Sequence, residues 1–349
     1  MQNNKPFYNV DDADEFVVID EDARIKLGEF NKKYPQHDPN VHWKSMRPRK
    51  GEKFANVSEF KIVSLVMLSV MVINFILRKV IGLDGCFLKG IAIGQLLSAL
   101  GKDANNQVYP LAWAVVDGLI EAVRVILSNG EHRQCARHVY GNFAKRWGGL
   151  QFKQLFWAAA KCTYEEKFVF IMQKIKDINE EAYHHFADKR PAFCSRAFYR
   201  SSFDCDAVEN EISECWNSMI KDARAKPIIS MSEDIRIKVM SRLVDQRKVA
   251  DKWAHDVCPT IRIKIQTNER LQRKWIVWAS GIQEYEIRTI SNEEVFTVNL
   301  LERTCSCRGL QISGISCPHA IAAQYHVGHN IEDLVSENLK KQKFIIAYS

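Results

Sequence analysis

Hydrophobic and polar positions change rhythm several times along the chain. Residues 1–60 show little periodicity and pass through "KKYPQHDPNVHW" to a basic cluster, "KSMRPRKGEK". The next stretch, "KIVSLVMLSVMVINFILRK", is apolar over residues 62–77 apart from Ser64, Ser69 and Asn74. A bilayer span wants about 20 apolar residues, and this run falls just below that. Its β-branched richness suits a buried strand or core helix. Residues 61–79 therefore read as a buried apolar segment, with a membrane span as the alternative.

From residue 80 the pattern becomes strand-like. "VIGLDGCFLKG" leads into two apolar runs, 94–101 and 108–116, separated by the turn-forming "DANNQ", which predicts an antiparallel hairpin. "GLIEAVRVILSNG" (118–130) follows with helical periodicity, and "EHRQCARHVY" is strand-like. Helical spacing then dominates in "FKQLFWAAAKC", "YEEKFVFIMQKIKDI" and "VENEISECWNSMIKDAR", and in a long basic amphipathic stretch over about 233–255. Alternation returns in "KWIVWAS", "EYEIRTI" and "EVFTVNLLERTCSC", which predict a small sheet, and "HAIAAQYHV" predicts a short closing helix. No internal repeat or low-complexity tract interrupts this order.

Charge adds a polarity to the layout. Residues 1–30 carry eight acids against three bases, a net of −5, so the other 319 residues hold +12 of the chain's +7 total. A basic body behind an acidic tail suits a polyanion such as nucleic acid, and equally a merely solvated basic surface. The basic helical stretch allows the same two readings, a stripe along a DNA backbone or a solvated face. The ten cysteines lack the dense spacing of a secreted disulfide scaffold, and the polar, acidic start lacks the build of a signal peptide. These features point to a reducing compartment, where clustered cysteines favour metal.

One cluster stands out, "TCSCRGLQISGISCPHA" at residues 304–320. Cys305 and Cys307 sit two residues apart at the end of a predicted strand, so both thiolates share a face. Cys317 and His319 repeat the spacing across Pro318, after nine residues that include Gly309 and Gly314. Three soft thiolates and an imidazole make a closed tetrahedral set, the mark of structural Zn²⁺ rather than of a catalytic ion. A redox Cys-x-Cys pair and four unrelated residues are the competing readings, and neither needs the second half of the pattern.

With its flanks, Cys-x-Cys, nine residues and Cys-x-His, this segment resembles a SWIM-type zinc finger, a ββα unit whose family binds DNA or protein. Three upstream stretches resemble Mutator-like element transposases of plants. They are "IGLDGCFLKG…GQLLSALGKDANNQVYPLAWAVV", "GLIEAVRVILSNGEHRQCARHVYGNFAKRW" and "NEISECWNSMIKDARAKPI". The resemblance covers about residues 80–345 and implies a ribonuclease-H-like sheet with an Asp, Asp, Glu set holding two divalent ions for DNA strand transfer. Carried over by position, the first acid is Asp84 and the third Glu214, and the family's Cys-x-x-His pair falls at Cys135 and His138. Read without the resemblance, these four are a turn residue, a solvated helix residue and ordinary core or surface.

The second acid has only Asp117 to fill it. In "AWAVVDGLIEAV" two runs abut that the family separates by a crossover helix and a strand. A parallel neighbour needs such a crossover of a dozen or more residues. Its loss removes a ligand and leaves strand donors unpaired in the middle of the sheet. "GEKFANVSEFK" resembles the start of the family's N-terminal DNA-binding region, whose remainder is missing in the same way. Two such gaps imply a degenerate copy or a shortened gene model.

The expected architecture is α+β, with an incomplete ribonuclease-H-like domain, a helical middle region and a small ββα-type zinc finger. Its divisions are an acidic tail and remnant of the DNA-binding region (1–60), the apolar segment (61–79) and the truncated transposase domain (80–230). A helical basic linker (231–273), the SWIM-type finger (274–330) and a tail (331–349) follow. The leading functional reading is a zinc-binding, DNA-binding, catalytically defective nuclear protein. An active strand-transferase using Mg²⁺ and a protein-interaction module are the alternatives.

Overall fold

The structure is a computed structural model that describes residues 15–18, 80–89, 95–116, 131–201, 203–291 and 293–348. The apolar run 61–79, Asp117, the expected helix 118–130 and all of 1–60 except residues 15–18 lie outside the described residues. The architecture is mixed α+β, with two antiparallel sheets and a set of helices between them.

The first sheet holds five strands: β1 Glu15–Val18, β2 Val80–Phe87, β3 Gln95–Lys102, β4 Val108–Val116 and β5 Glu131–Gln134. Their order is β4-β3-β2-β1-β5. The expected hairpin is β3–β4. Its turn closes because the Asp103 carboxylate accepts from the backbone N–H groups of Asn105 (2.9 Å) and Gln107 (2.8 Å). Pro110, which has no N–H to give, faces Leu100 on the edge strand where the register shifts.

Every pairing in this sheet is antiparallel. The parallel neighbour implied beside β2 is not among the described residues, and β1 stands in that place. Val17 lies opposite Ile81 on one side and His132 on the other. The backbone groups that a lost strand would leave open are thus paired by a segment read from sequence as acidic tail. Within that tail, Phe16, Val17 and Val18 form a short apolar run with two β-branched residues. An antiparallel strand brought in from the chain start needs no crossover helix.

On one face of the sheet lies α5, Glu211–Met219. Its Ile212 and Trp216 pack with Cys86, Leu96, Leu100 and Val108, and Trp216 donates its indole N–H to Ser98 at 2.9 Å. Before it come α1 Ala136–Ala144, α2 Leu150–Lys161, α3 Glu165–Ile178 and α4 Glu180–Asp188, which form a helical body. In α3 the buried Phe168, Ile171, Met172 and Ile175 share one stripe. Glu165 and Glu166 meet the positive N-terminus, and Lys176 meets the negative C-terminus. Phe143, Phe156 and Phe186 fill the centre, with Phe156 stacked on Phe186 at 4.7 Å.

A 24-residue helix, α6 Ile228–Asp251, runs from the first sheet to the C-terminal part. Met231 and Ile235 join the core under the sheet, while Ala250 joins a second core with α7, Pro259–Gln272, and α10, Lys341–Ala347. Residues 331–348 contribute the buried Val335, Leu339, Phe344 and Tyr348 to that core. The second sheet is β6 Trp275–Gly281, β7 Glu284–Thr289, β8 Val295–Asn299 and β9 Thr304–Cys305, paired in that order. Across it lie a short helix, α8 Gly309–Ser313, and α9 Pro318–His326. No helix among the described residues is long and apolar enough to cross a membrane.

Candidate metal centre

Cys305 ends β9, and Cys307 follows in the turn that leads into α8. Cys317 is the N-cap of α9, and His319 is the second residue of that helix, after Pro318 at the position where a missing N–H does no harm. The ligand atoms of Cys305, Cys307, Cys317 and His319 all lie within 4.8 Å of one another, and all four residues are buried. His319 Nδ1 is 3.6 Å from the Cys305 sulfur and 3.9 Å from the Cys317 sulfur. A tetrahedral ion at Zn–S ~2.3 Å and Zn–N ~2.05 Å sets S···N edges of ~3.6 Å, so the cage has the size zinc requires.

Packed this closely, the three thiols compete for their protons. Hydrogen bonds from the Cys305 and Cys317 thiols hold the Cys307 sulfur well below the usual thiol range. The contact with Cys307 pushes the Cys305 thiol up, and the contacts with Cys305 and then Cys307 push the Cys317 thiol up. A divalent cation removes this conflict, since it takes all three sulfurs as thiolates and releases their protons. Backbone N–H groups already point at two of the sulfurs, Gly309 at Cys307 and Ala320 at Cys317, each at 3.4 Å. The His319 ring is wedged against Phe296 (centroids 4.0 Å apart, stacked) and edge-on to Trp275 at 4.3 Å. Those aromatics keep water out and leave no open coordination position, as expected of a structural ion.

Several residues that carry no motif hold the finger to the rest of the protein. Arg308 adopts a left-handed conformation (φ 58) between the ligands, and its guanidinium donates to the carbonyls of Thr163, Ala197 and Tyr199 in the helical body. Thr163 returns a hydroxyl bond to the Cys307 carbonyl. Gly314 has φ +68, and a Cβ there would stand 2.5 Å from the Asp204 carboxylate. Asp204 in turn accepts from Ser336 (2.6 Å) and Asn338 (2.8 Å). Nothing in the spacing marks these residues, because their partners are more than a hundred positions away.

The other candidate residues sit elsewhere. Asp84 is buried in β2, accepts from the Asn217 side chain on α5, and shares the Cys86 thiol as a neighbour with the Arg224 guanidinium. Glu214 lies one turn before Asn217 on α5, and Arg137 bridges it to Glu209, with both contacts 2.5 Å long. Cys135 is buried as the N-cap of α1 and accepts from the Asn210 N–H at 3.4 Å, whereas His138 is on the exposed side of α1. Among the described residues, the four C-terminal ligands form the only group of three or more His, Cys, Asp or Glu gathered as a metal would require.

The fold and the site together define a protein with a structural zinc centre stapling a small sheet to a helix. Residues 296–328 match the SWIM zinc finger family, and this match contains all four ligands. Among curated proteins and solved structures, nothing matches the chain.

Proposed function

We propose that the chain is a nuclear, nucleic-acid-binding zinc protein derived from a Mutator-like element transposase, without that family's strand-transfer chemistry. The observation that carries the binding half is a stretch without acids. Residues 132–164 contain six Lys or Arg and no Asp or Glu. Among these, Lys153 and Lys161 are exposed on α2, and Lys145 and Arg146 are exposed just after α1, where Arg146 pairs with Glu181. Trp157 lies among them, with the Lys161 ammonium 4.9 Å from its ring centroid. Cations interleaved with an aromatic face suit phosphate contacts combined with base stacking.

The catalytic half rests on the company the acids keep. Asp84 accepts from an amide and has a guanidinium close to its neighbour Cys86, and Glu214 is engaged by Arg137. Two-metal chemistry needs carboxylates converging on ions instead. The test is DNA binding across a salt series. Lys153→Glu with Lys161→Glu should weaken binding about tenfold and lower the salt slope by about 0.9 per lost phosphate contact. An unchanged affinity overturns the binding reading, and divalent-dependent cleavage or joining of DNA ends by the purified chain overturns the catalytic one.

A further inference from the structure

Three cations from three separate parts of the fold converge on one carboxylate. Arg196 opens a 3-10 turn of the helical body, Arg196–Phe198, and Lys264 belongs to α7. Each stands 3.2 Å from the Asp206 carboxylate, and Arg196 also donates to the Asp206 carbonyl. Lys102, the last residue of β3, is the third cation, near enough for its charge to act on the same carboxylate. The β3–β4 turn is held against α7 at this place, since the Asn105 side chain accepts from the Thr260 N–H at 2.8 Å, one turn before Lys264. Three positive charges and one negative leave the group at +2. The other acids nearby face other partners. Asp204 holds Ser336 and Asn338, Glu209 holds Arg137, and Glu332 holds Arg262.

Donors exceed acceptors here as well. Lys102 is only 9% exposed, and among the described residues its ammonium has no hydrogen-bond acceptor. A buried cation left in that state marks the place of an ion or water. Arg196, Asp206 and Lys264 are partly exposed, so a solute reaches the group from their side. We propose that Lys102, Arg196 and Lys264 bind a phosphate group carrying two negative charges, either inorganic phosphate or a phosphate monoester. A dianion balances the +2, and its oxygens accept from the spare donors of two ammonium groups and a guanidinium. A phosphodiester or a carboxylate brings one charge and leaves the other unmet. Asp206 spaces the cations, and its own charge lowers the affinity for the anion.

The site uses none of the residues of the nucleic-acid reading and does not depend on it. Its test is calorimetric titration of the zinc-loaded full chain with inorganic phosphate, against sodium chloride of equal ionic strength. The expected result is a single saturable site. Lys264→Met and Lys102→Met should each weaken binding about tenfold, with unchanged zinc content and circular dichroism. If Lys102→Met fails to fold, the partly exposed Lys264 carries the test. Lys153→Glu with Lys161→Glu should leave phosphate binding unchanged. Competition then separates the sources, and two outcomes uphold the site. Displacement by a single-stranded oligonucleotide only when its 5′ end is phosphorylated makes the ligand a nucleic-acid end. Displacement by a mononucleotide but by neither oligonucleotide makes it a small molecule. Equal displacement by the unphosphorylated strand overturns the requirement for a dianion. Heat no larger than that of chloride, or binding that survives both lysine changes, overturns the site itself.

Discussion

Gly314 shows how much of the zinc finger's attachment depends on one atom. Its φ of +68 disfavours any L side chain, and the Asp204 carboxylate occupies the space that a Cβ would need. Asp204 cannot retreat freely, since it also holds Ser336 and Asn338. Gly314→Ala should therefore lower stability by about 1–3 kcal/mol from the backbone conformation alone, with more from the clash. The urea midpoint of the zinc-saturated protein measures it, and a change within error would mean that the 314 loop relaxes without penalty. Gly309 has no such role. A Cβ there meets only ordinary contacts, 3.4 Å from the Cys307 sulfur and 3.5 Å from the Cys317 Cβ.

At the scale of elements, the segment 203–210 ties most of the others together. Arg133 of β5 donates to the Cys205 carbonyl, and the Val208 carbonyl accepts from the start of α1. The Asn210 amide reaches the Leu83 carbonyl of β2. Asp206 joins the helical body to α7, with Arg196 and Lys264 both 3.2 Å from its carboxylate. Burial by itself would raise this carboxyl, but Arg196, Lys264 and Lys102 outweigh it and hold it well below the usual range. A depressed carboxyl contributes stability that is present above its unfolded pKa, about 3.9, and is lost as pH falls through the lower folded value. The protein should thus lose stability on acidification below about pH 4, and Asp206→Asn should lose less over that window while being weaker at neutral pH. Thermal melts across pH check this, and parallel curves for the two proteins would remove Asp206 as the clamp. About a quarter of its side-chain surface is exposed, so the effect is reduced by solvent.

At the scale of the whole molecule, the zinc centre is a joint rather than an appendage. Arg308 lies between two pairs of ligands and donates to three carbonyls of the helical body, and Thr163 answers from the other side. If zinc is removed, these contacts lose the loop that positions them. Chelation, or Cys317→Ser, should raise amide exchange in the finger and also around Thr163 and residues 195–204. The middle of β3, tied to α5 through Ser98 and Trp216, should keep its protection. Exchange rising in the finger alone would show a finger that unfolds independently of the body.

Features that depend on neighbours in the chain were readable before folding. The zinc ligands were legible because two i, i+2 pairs across a glycine-bearing loop have few other uses. The hairpin around "DANNQ" was legible because a turn is set by its own residues, and α3 because its apolar stripe and end charges are local. The split of "EHRQCARHVY" into β5 and α1 was only half legible, since Cys135 caps the helix through partners at 208 and 210. Three features arose only from long-range packing. It brought β1 out of an acidic tail into the sheet, because open backbone groups recruit whatever strand can reach them. It turned Lys238, Arg242 and Arg247 of α6 toward carbonyls and left Ile237, Met240 and Val244 exposed, a choice that amphipathic spacing leaves free when both faces are apolar. It also placed Arg308 and Asp204 as the fastenings of the finger, because hydrogen bonds between residues a hundred positions apart exist only once the chain has folded.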